Sequence, residues 1–420
     1  MTIDFTPSAA QRELQAGARE IASRVLTGVP STIAGLQHPH ERFAATRPFF
    51  LELTRAGLLA GFIPREYGGG GLSVLDLGIA GEELTAVDIN VPTSLIGTGL
   101  GLQAIIQFGS DAQKRRFLPD FVESGTDKLA SFAFTEVTGG ANFDCADPDA
   151  GVRTFAERDG DAWVINGEKH WTPNGSGWDN QGAHVYTLVC RIGRGRPASE
   201  SLAVIVVPRS AGGIEVVGHI NAMGHRAVDL PRIRFNNVRV PLDNLLGQPG
   251  DGIRICSSVF AWTGALVGAE CTGAMRRAFD IAWQFAKTDK RSGSVPVIEH
   301  PTVGYQLADI KMRIEACRYL MWKACHYLDS TNGASEEMAI MSKVFCTETA
   351  VQTIYDTMRL VGMDSYALDM TPLAALMQDA LAFPLFDGGN MGVRRRQLHQ
   401  MLKTPGYDPM AAAEGRPQPA

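Results

Sequence analysis

Cysteine is scarce in this 420-residue chain, and what there is shows no pattern. The seven (Cys145, Cys190, Cys256, Cys271, Cys317, Cys325 and Cys346) include no Cys-x-x-Cys pair. An odd, scattered set argues against a disulfide framework or a zinc site. The thiols read as reduced residues in the cores of a cytoplasmic protein, and no metal is expected. Positive charge is not in excess either. The net charge of −6 recommends neither nucleic acid nor an anionic membrane as a partner. No apolar run approaches the ~20 residues that span a bilayer. The opening MTIDFTPSAAQRELQ has no basic segment followed by an apolar one, so it does not read as a signal peptide. The four glycines at 68–71 lack the Lys-Ser/Thr that follows in a phosphate loop and read as an ordinary loop. His38 and His40 flank Pro39 and read as loop histidines.

What is present is 45% hydrophobic residues, enough for two or three sizeable cores. Residues 1–128 carry apolar residues at helical spacing. Pro7 to Val25, Arg47 to Leu59, Leu75 to Val87, Pro92 to Phe108 and Asp111 to Val122 read as helices. The fourth is rich in small residues (Ser94, Gly97, Gly99, Gly101), which suits close packing. Over 129–242 the period shortens to alternation. Short strands are predicted at 130–135, 163–165, 184–190, 202–207, 214–217 and 233–235, separated by turn signals such as Asn166-Gly167 and Gly212-Gly213. That spacing means an antiparallel sandwich or barrel. From 243 to 403 long helices return (Ile253 to Phe285, Tyr305 to Leu328, Ser335 to Val361), with the lengths and stripes of a bundle. The tail at 404–420 is rich in Pro, Ala and Gly and is expected to fray.

The stretch FPLFDGGNMGVRRRQLHQML, residues 383–402, draws most attention. It delivers one carboxylate, Asp387, between an apolar approach and Gly388-Gly389. Burial there disfavours the charged form, the environment a general base needs. The two glycines let backbone pass close to a flat ligand. Asn390 is a candidate helix cap. Arg394, Arg395 and Arg396 then fall in the first turns of a helix, the wrong end of the dipole for cations, so at least one is expected to answer an anion. A turn aspartate before a helix with solvated arginines accounts for the same residues.

The order of helical, β and helical segments, with its landmarks, resembles the acyl-CoA dehydrogenase superfamily. IPREYGGGGLS (63–73), FAFTEVTGGAN (132–142), INGEKHWTPNG (165–175), MGHRAVDLPRIRFNNVRVP (223–241) and QLADIKMR (306–313) each match one of its stretches. The resemblance implies an α+β multidomain fold: an N-terminal α-helical domain (1–128), a middle β-barrel (129–242), a C-terminal four-helix bundle (243–403) and a flexible tail (404–420). It implies FAD, held near Phe132, Phe134, Thr135, Gly140, Ala141, Trp171, Thr172 and Pro173, with Gly362, Gly388 and Gly389 close by. Lys290 or Arg291 would supply positive charge to a neighbouring subunit's FAD in a homotetramer or homodimer.

The family's usual catalytic glutamate lies eight residues after an Arg-Asp-Ala aspartate. Here Asp379 stands in Gln378-Asp379-Ala380, and eight residues on comes Asp387. An aspartate arm is shorter by one methylene, about 1.5 Å. This and other departures resemble the nitroalkane-oxidising branch of the superfamily: Ala45 to Phe49, Gly139 to Asn142, Gly177-Trp178-Asp179, Gly362 to Tyr366 and Pro384 to Gln397. That branch implies Asp387 as base, Arg394 beside it, and Thr263 as a hydroxyl in the site. The expected reaction converts a nitroalkane and oxygen to an aldehyde or ketone, nitrite and peroxide. The alternative is acyl-CoA dehydrogenation, with electrons passed to an electron-transfer flavoprotein. One position fits neither pattern. The hydroxyl residue facing flavin N5 is replaced by Pro173, which has no donor, so Thr172 is the expected substitute.

Overall fold

The computed structural model of the chain describes residues 5–334 and 336–418. Residues 1–4 and 419–420, and Ser335, where the last long helix was expected to begin, lie outside the described residues.

Among the described residues, seven α-helices come first: α1 (Ala9–Val25), α2 (Val29–Ile33), α3 (Pro39–Ala45), α4 (Arg47–Arg55), α5 (Val74–Thr85), α6 (Asn90–Phe108) and α7 (Asp111–Phe117). Three of them start at a serine whose hydroxyl accepts from the third helical N–H. Ser8, Ser73 and Ser110 do this, and Gln11, Asp76 and Gln113 return a bond to the serine N–H. These reciprocal caps satisfy donors the first helical turn cannot. The short α3 corrects the loop reading of the histidines. His38 is its N-cap and accepts from the His40 N–H at 3.3 Å.

Eight strands follow: β1 (Ala130–Ala133), β2 (Phe155–Asp159), β3 (Ala162–Lys169), β4 (Val185–Ile192), β5 (Leu202–Pro208), β6 (Ile214–His219), β7 (Pro231–Pro241) and β8 (Leu245–Leu246). All belong to one sheet, ordered β6-β7-β3-β2-β4-β5-β8, with β1 also on β4. Most pairings are antiparallel. The exceptions share one edge of β4, where β1 pairs parallel through Ala130 and Val185 and β2 pairs parallel through Phe155 and Arg191. Alternation reveals a strand's two faces but not its partner's direction, so the all-antiparallel expectation missed these two ladders. It also missed β2, which buries only Ala156, and β8, which is two residues long.

The small residues of α6 serve the close packing expected of them. A Cβ on Gly101 would lie 2.5 Å from the Ser131 nitrogen on β1. The Gly101 carbonyl also accepts from Thr187 Oγ1 at 2.9 Å.

After the short α8 (Ala198–Ser201) between β4 and β5, the bundle comprises α9 (Gly252–Thr288), α10 (Pro301–Ser330) and α11 (Glu337–Val361), joined by α12 (Leu373–Ala380) and α13 (Arg395–Lys403). Both α6 and α9 are long and apolar enough to cross a bilayer, which a count of uninterrupted apolar residues did not register. In each, most of the apolar window is buried inside the protein, 67% and 78% respectively, so both are core helices here. Buried Glu82 and Glu83 on α5 tie the helical layers together. Glu82 meets Arg276 at 2.9 Å and Arg318 at 2.8 Å, and Glu83 meets Arg19 at 2.9 Å and Arg276 at 2.7 Å.

The described part of the tail, 404–418, packs on the bundle, where composition suggested a free end. Ala411 and Ala412 are buried, and Tyr327 Oη donates to the Arg416 carbonyl at 2.5 Å. Gln418 Nε2 donates to Glu337 at 2.7 Å. Two small apolar residues and two specific bonds on α10 and α11 outweigh a composition that favours disorder.

Candidate active site

Three consecutive residues after the apolar turn at Phe383 take positive φ: Asp387 at 53°, Gly388 at 87° and Gly389 at 66°. Glycine enters this region freely, and aspartate tolerates it better than most side chains. The reversal turns the Asp387 side chain inward, where it is only 5% exposed. Residues Gly389–Arg394 then form a turn of π-helix, a rare element that recurs at functional sites. It folds Arg394 back over the acid seven residues earlier.

Each carboxylate oxygen has one fixed partner. Thr263 Oγ1, from α9, donates to Oδ1 at 2.5 Å. Arg394 Nη2 donates to Oδ2 at 2.7 Å. The guanidinium is wholly buried, and Nε also donates to the Asp387 carbonyl at 2.9 Å while Nη2 donates to the Phe260 carbonyl at 2.8 Å. Gly264 leaves room for the pair, since a Cβ there would stand 3.4 Å from Arg394 Nη2 and 3.5 Å from Asp387 Oδ2.

The remaining expectations for this stretch resolve residue by residue. Asn390 is not a cap. It sits inside the π turn, accepts from Lys343 Nζ at 2.8 Å, and donates to Thr347 at 2.9 Å and Glu348 at 3.1 Å. Arg395 pairs with Glu348 at 2.7 Å, and Arg396 with Asp144 at 2.8 Å. All three arginines therefore answer an anion.

Sequence reasoning missed three ionisable groups around this pair, of which Lys343 and Glu270 are fully buried and Glu336 partly so. Burial lowers the Lys343 ammonium to about 8, against the opposing pull of Asp387. Burial raises Glu270 to about 7; a hydrogen bond from Thr93 opposes this, and the negative charge of Asp387 adds to it. Burial likewise raises Glu336 to about 7, with Arg394 opposing. Lys343 had a legible signal. It lies on the same helical face as Ala339, Cys346 and Ala350, all buried, where a lysine is out of place.

The residues implied for FAD fall into two groups. In the first, Phe132 and Phe134 stack at 5.9 Å, and the Phe260 ring meets them edge-on at 5.5 and 4.8 Å. Phe260 lies one turn from Thr263, so this cluster adjoins the acid. Gly140 is pressed against Phe134, where a Cβ would come within 2.5 Å of the ring. The Ala141 carbonyl accepts from Arg396 at 2.8 Å, tying this loop to the turn that holds Asp387. Buried Lys169 fixes the start of the loop through the Phe134 carbonyl at 3.0 Å and Glu136 at 2.8 Å. The Thr135 carbonyl accepts from the His170 N–H at 2.7 Å, which brings the Trp171–Pro173 segment alongside. Trp171 has φ 51° and is 50% exposed. The Pro173 carbonyl accepts from Ser131 Oγ at 2.6 Å. Thr172 Oγ1 is buried without a hydrogen-bond partner. An exposed indole, a half-exposed Thr135 and open space beside Gly389 fit a flat aromatic ligand, and the unpartnered Thr172 hydroxyl fits its polar edge.

The second group is not brought to the acid. Arg291 pairs with Asp364 at 3.2 Å and donates to the Val361 carbonyl, beside Gly362. Lys290 is exposed in the same loop. These contacts stay among themselves within one chain.

Three family models match in succession. They are the acyl-CoA dehydrogenase N-terminal domain over residues 8–125, the middle domain over 131–238 and the C-terminal domain over 250–402. The chain is 37% identical over 433 residues to the nitroalkane oxidase of Podospora anserina, with 99% of each chain covered. It is 36% identical over 432 residues to the nitroalkane oxidase of Fusarium oxysporum, with 98% of each covered. A solved nitroalkane oxidase active-site mutant crystallised with 1-nitrooctane matches with a TM-score of 0.93 and 35% identity, over 98% of this chain and 100% of that one.

Proposed function

The chain belongs to the acyl-CoA dehydrogenase family, and we propose that it is a flavin-dependent nitroalkane oxidase in which Asp387 is the base. The observation that carries the reading is the Asp387 carboxylate, buried and held by one partner on each oxygen. The nitro group acidifies the adjacent C–H, and Asp387 takes that proton. Arg394 fixes the carboxylate from one side and places a buried positive charge where negative charge develops on the substrate. Thr263 fixes it from the other side, so the acid meets the substrate in one orientation. The net reaction is R-CH2-NO2 + O2 + H2O → R-CHO + HNO2 + H2O2. FAD, the family's cofactor, supplies the acceptor for the substrate's electron pair and its return to oxygen. Phe132, Phe134, Thr135, Gly140, Ala141, Trp171 and Thr172 are the residues of this chain that would hold it.

We infer a homo-oligomer as well. Met363, Tyr366, Leu368 and Met370 are all exposed within eight residues, and so large an apolar group favours a partner surface. Lys290 and Arg291 adjoin it through Gly362, which supports their role toward a neighbouring subunit's cofactor. A monomer by light scattering would overturn this. The seven free cysteines support a reducing, cytoplasmic setting.

The test of the reaction is anaerobic. The yellow protein is mixed with a primary nitroalkane and, separately, with a series of acyl-CoAs, and then given air. Loss of the flavin colour with the nitroalkane, then rapid recovery with nitrite and peroxide, is expected. Bleaching only by an acyl-CoA, with slow recovery in air, would make the protein a dehydrogenase that needs an electron-carrier partner.

A further inference from the structure

Away from Asp387, three side chains able to bind metal converge from separate elements. His40 lies on α3, His219 ends β6, and Asp229 lies in the connection to β7. One ligating atom of each lies within 4.8 Å of the others. His219 Nδ1 and Asp229 Oδ1 are 3.4 Å apart, on side chains only 7% and 0% exposed. Both atoms are buried without a hydrogen-bond partner.

The surrounding bonds explain why that is unusual. His219 Nε2 lies 2.9 Å from Asn180 Oδ1, which can only accept. With Nε2 engaged there, Nδ1 is the ring nitrogen that faces the carboxylate oxygen. A ring nitrogen and a carboxylate oxygen that face each other in a buried site without a hydrogen bond are placed to share a cation. The other Asp229 oxygen accepts from the Ser176 N–H at 2.7 Å, so the carboxylate is not free to turn away. His40 is held as well. Its Nδ1 lies 3.1 Å from Ser176 Oγ, and its ring packs on His219 at 4.9 Å.

Two imidazoles and a carboxylate suit a borderline cation rather than magnesium or calcium, which prefer oxygen ligands throughout. Tetrahedral coordination at ~2.0–2.1 Å places neighbouring ligand atoms ~3.3–3.4 Å apart, and the His219–Asp229 pair already has that separation.

We propose that His40, His219 and Asp229 bind one divalent transition-metal ion of the zinc class, with water in a fourth position. The ion fastens the N-terminal helices to the sheet. It also braces the loop through Ser176, which continues from Trp171. No local pattern in the chain announces this site. The histidines are remote from one another in the chain, and the cysteine spacing argued against metal.

The holoenzyme is stripped with a chelator, exchanged into buffer and titrated with zinc chloride by calorimetry, with metal content and Tm read alongside. One equivalent per chain and a Tm rise on the order of a few degrees are expected. His40→Gln, at a half-exposed position, should keep the fold by circular dichroism and bind at least tenfold more weakly. Asp229→Asn, which keeps the bond from Ser176, should do the same. No zinc uptake by the wild type at micromolar concentration would overturn the proposal. So would uptake unchanged in a folded His40→Gln variant. Asp387→Asn should bind zinc like the wild type, which separates this result from the fate of the oxidase reading.

Discussion

Under the proposed reading, replacing Asp387 by asparagine isolates proton removal from everything else the site does. The amide has the carboxylate's shape. Its oxygen can accept from Arg394 Nη2 in place of Oδ2, and its nitrogen can meet Thr263, whose oxygen has free lone pairs. The guanidinium keeps two main-chain acceptors, the carbonyls of residues 387 and 260. Removing one partner of a buried ion pair outright costs about 3–5 kcal/mol. With so many bonds kept, the expected loss of stability is about 1–3 kcal/mol. The kinetic loss is larger and selective. A positioned base contributes about 10²–10⁴ in rate, or ~3–5 kcal/mol at 1.36 kcal/mol per tenfold. Turnover of a neutral nitroalkane should fall by about that factor. The preformed nitronate anion has already lost the proton and should be oxidised at close to the wild-type rate. Oxygen consumption with each substrate form, on variant and wild type, gives the comparison. Full turnover of the neutral nitroalkane would refute the assignment of Asp387. Equal losses on both forms would show that the substitution damaged binding and not proton transfer.

Other substitutions probe single contacts. Arg394→Lys cannot span the Asp387 carbonyl, Asp387 Oδ2 and the Phe260 carbonyl together; kcat/KM should drop at least tenfold, with a lower Tm in thermal melts. Thr263→Ala removes the bond to Oδ1 and should lower kcat/KM by about tenfold, given ~1.5–3 kcal/mol for a hydrogen bond to a charged group. Thr263→Ser should restore most of that, and equal rates for alanine and serine variants would count against a role for the hydroxyl. Gly101→Ala forces a methyl onto the Ser131 backbone and should destabilise by about 1–3 kcal/mol in urea melts. Glu270 gives a pH signature. Its folded value, about 7, is raised above the unfolded 4.5. Its contribution is therefore fully present below pH 4.5 and lost as the pH rises through about 7, a change on the order of 3 kcal/mol. Glu270→Gln keeps an acceptor for Thr93 and lacks that loss. Urea midpoints at pH 5 and pH 8 should diverge between the two proteins, and parallel slopes would mean that burial does not govern this acid.

Much of this was legible in the chain because it rests on local signals. The long helices showed as periodic stripes and most of the strands as alternation. Asp387 was legible too, since an acid set between phenylalanine and two glycines is a poor surface residue. What escaped depends on contacts between remote segments. The parallel ladders on β4 need two strands to choose a direction that neither encodes. Asn390 reads as a cap from its neighbours and becomes a bridge to Lys343 only when α11 packs beside it. Glu270 and Glu336 look like ordinary helix acids until their surroundings close over them. His40, His219 and Asp229 span almost half the chain and meet only because α3 docks on the sheet.

The shorter acid is the feature that makes the rest of the site cohere. A catalytic group must be held within ~0.5 Å of its working position, and an aspartate arm cannot reach as far as a glutamate. Here its partners come to it. The positive φ at Asp387 turns the carboxylate inward, Thr263 meets one oxygen from α9, and the π turn returns Arg394 to the other. Arg394 binds the Asp387 carbonyl as well as the carboxylate, so one side chain fixes both the backbone and the acid. An aspartate has one fewer rotatable bond than a glutamate, so less entropy is lost in holding it. What the site gives up in reach it recovers in rigidity, and this is why Arg394 should be the least replaceable neighbour of Asp387.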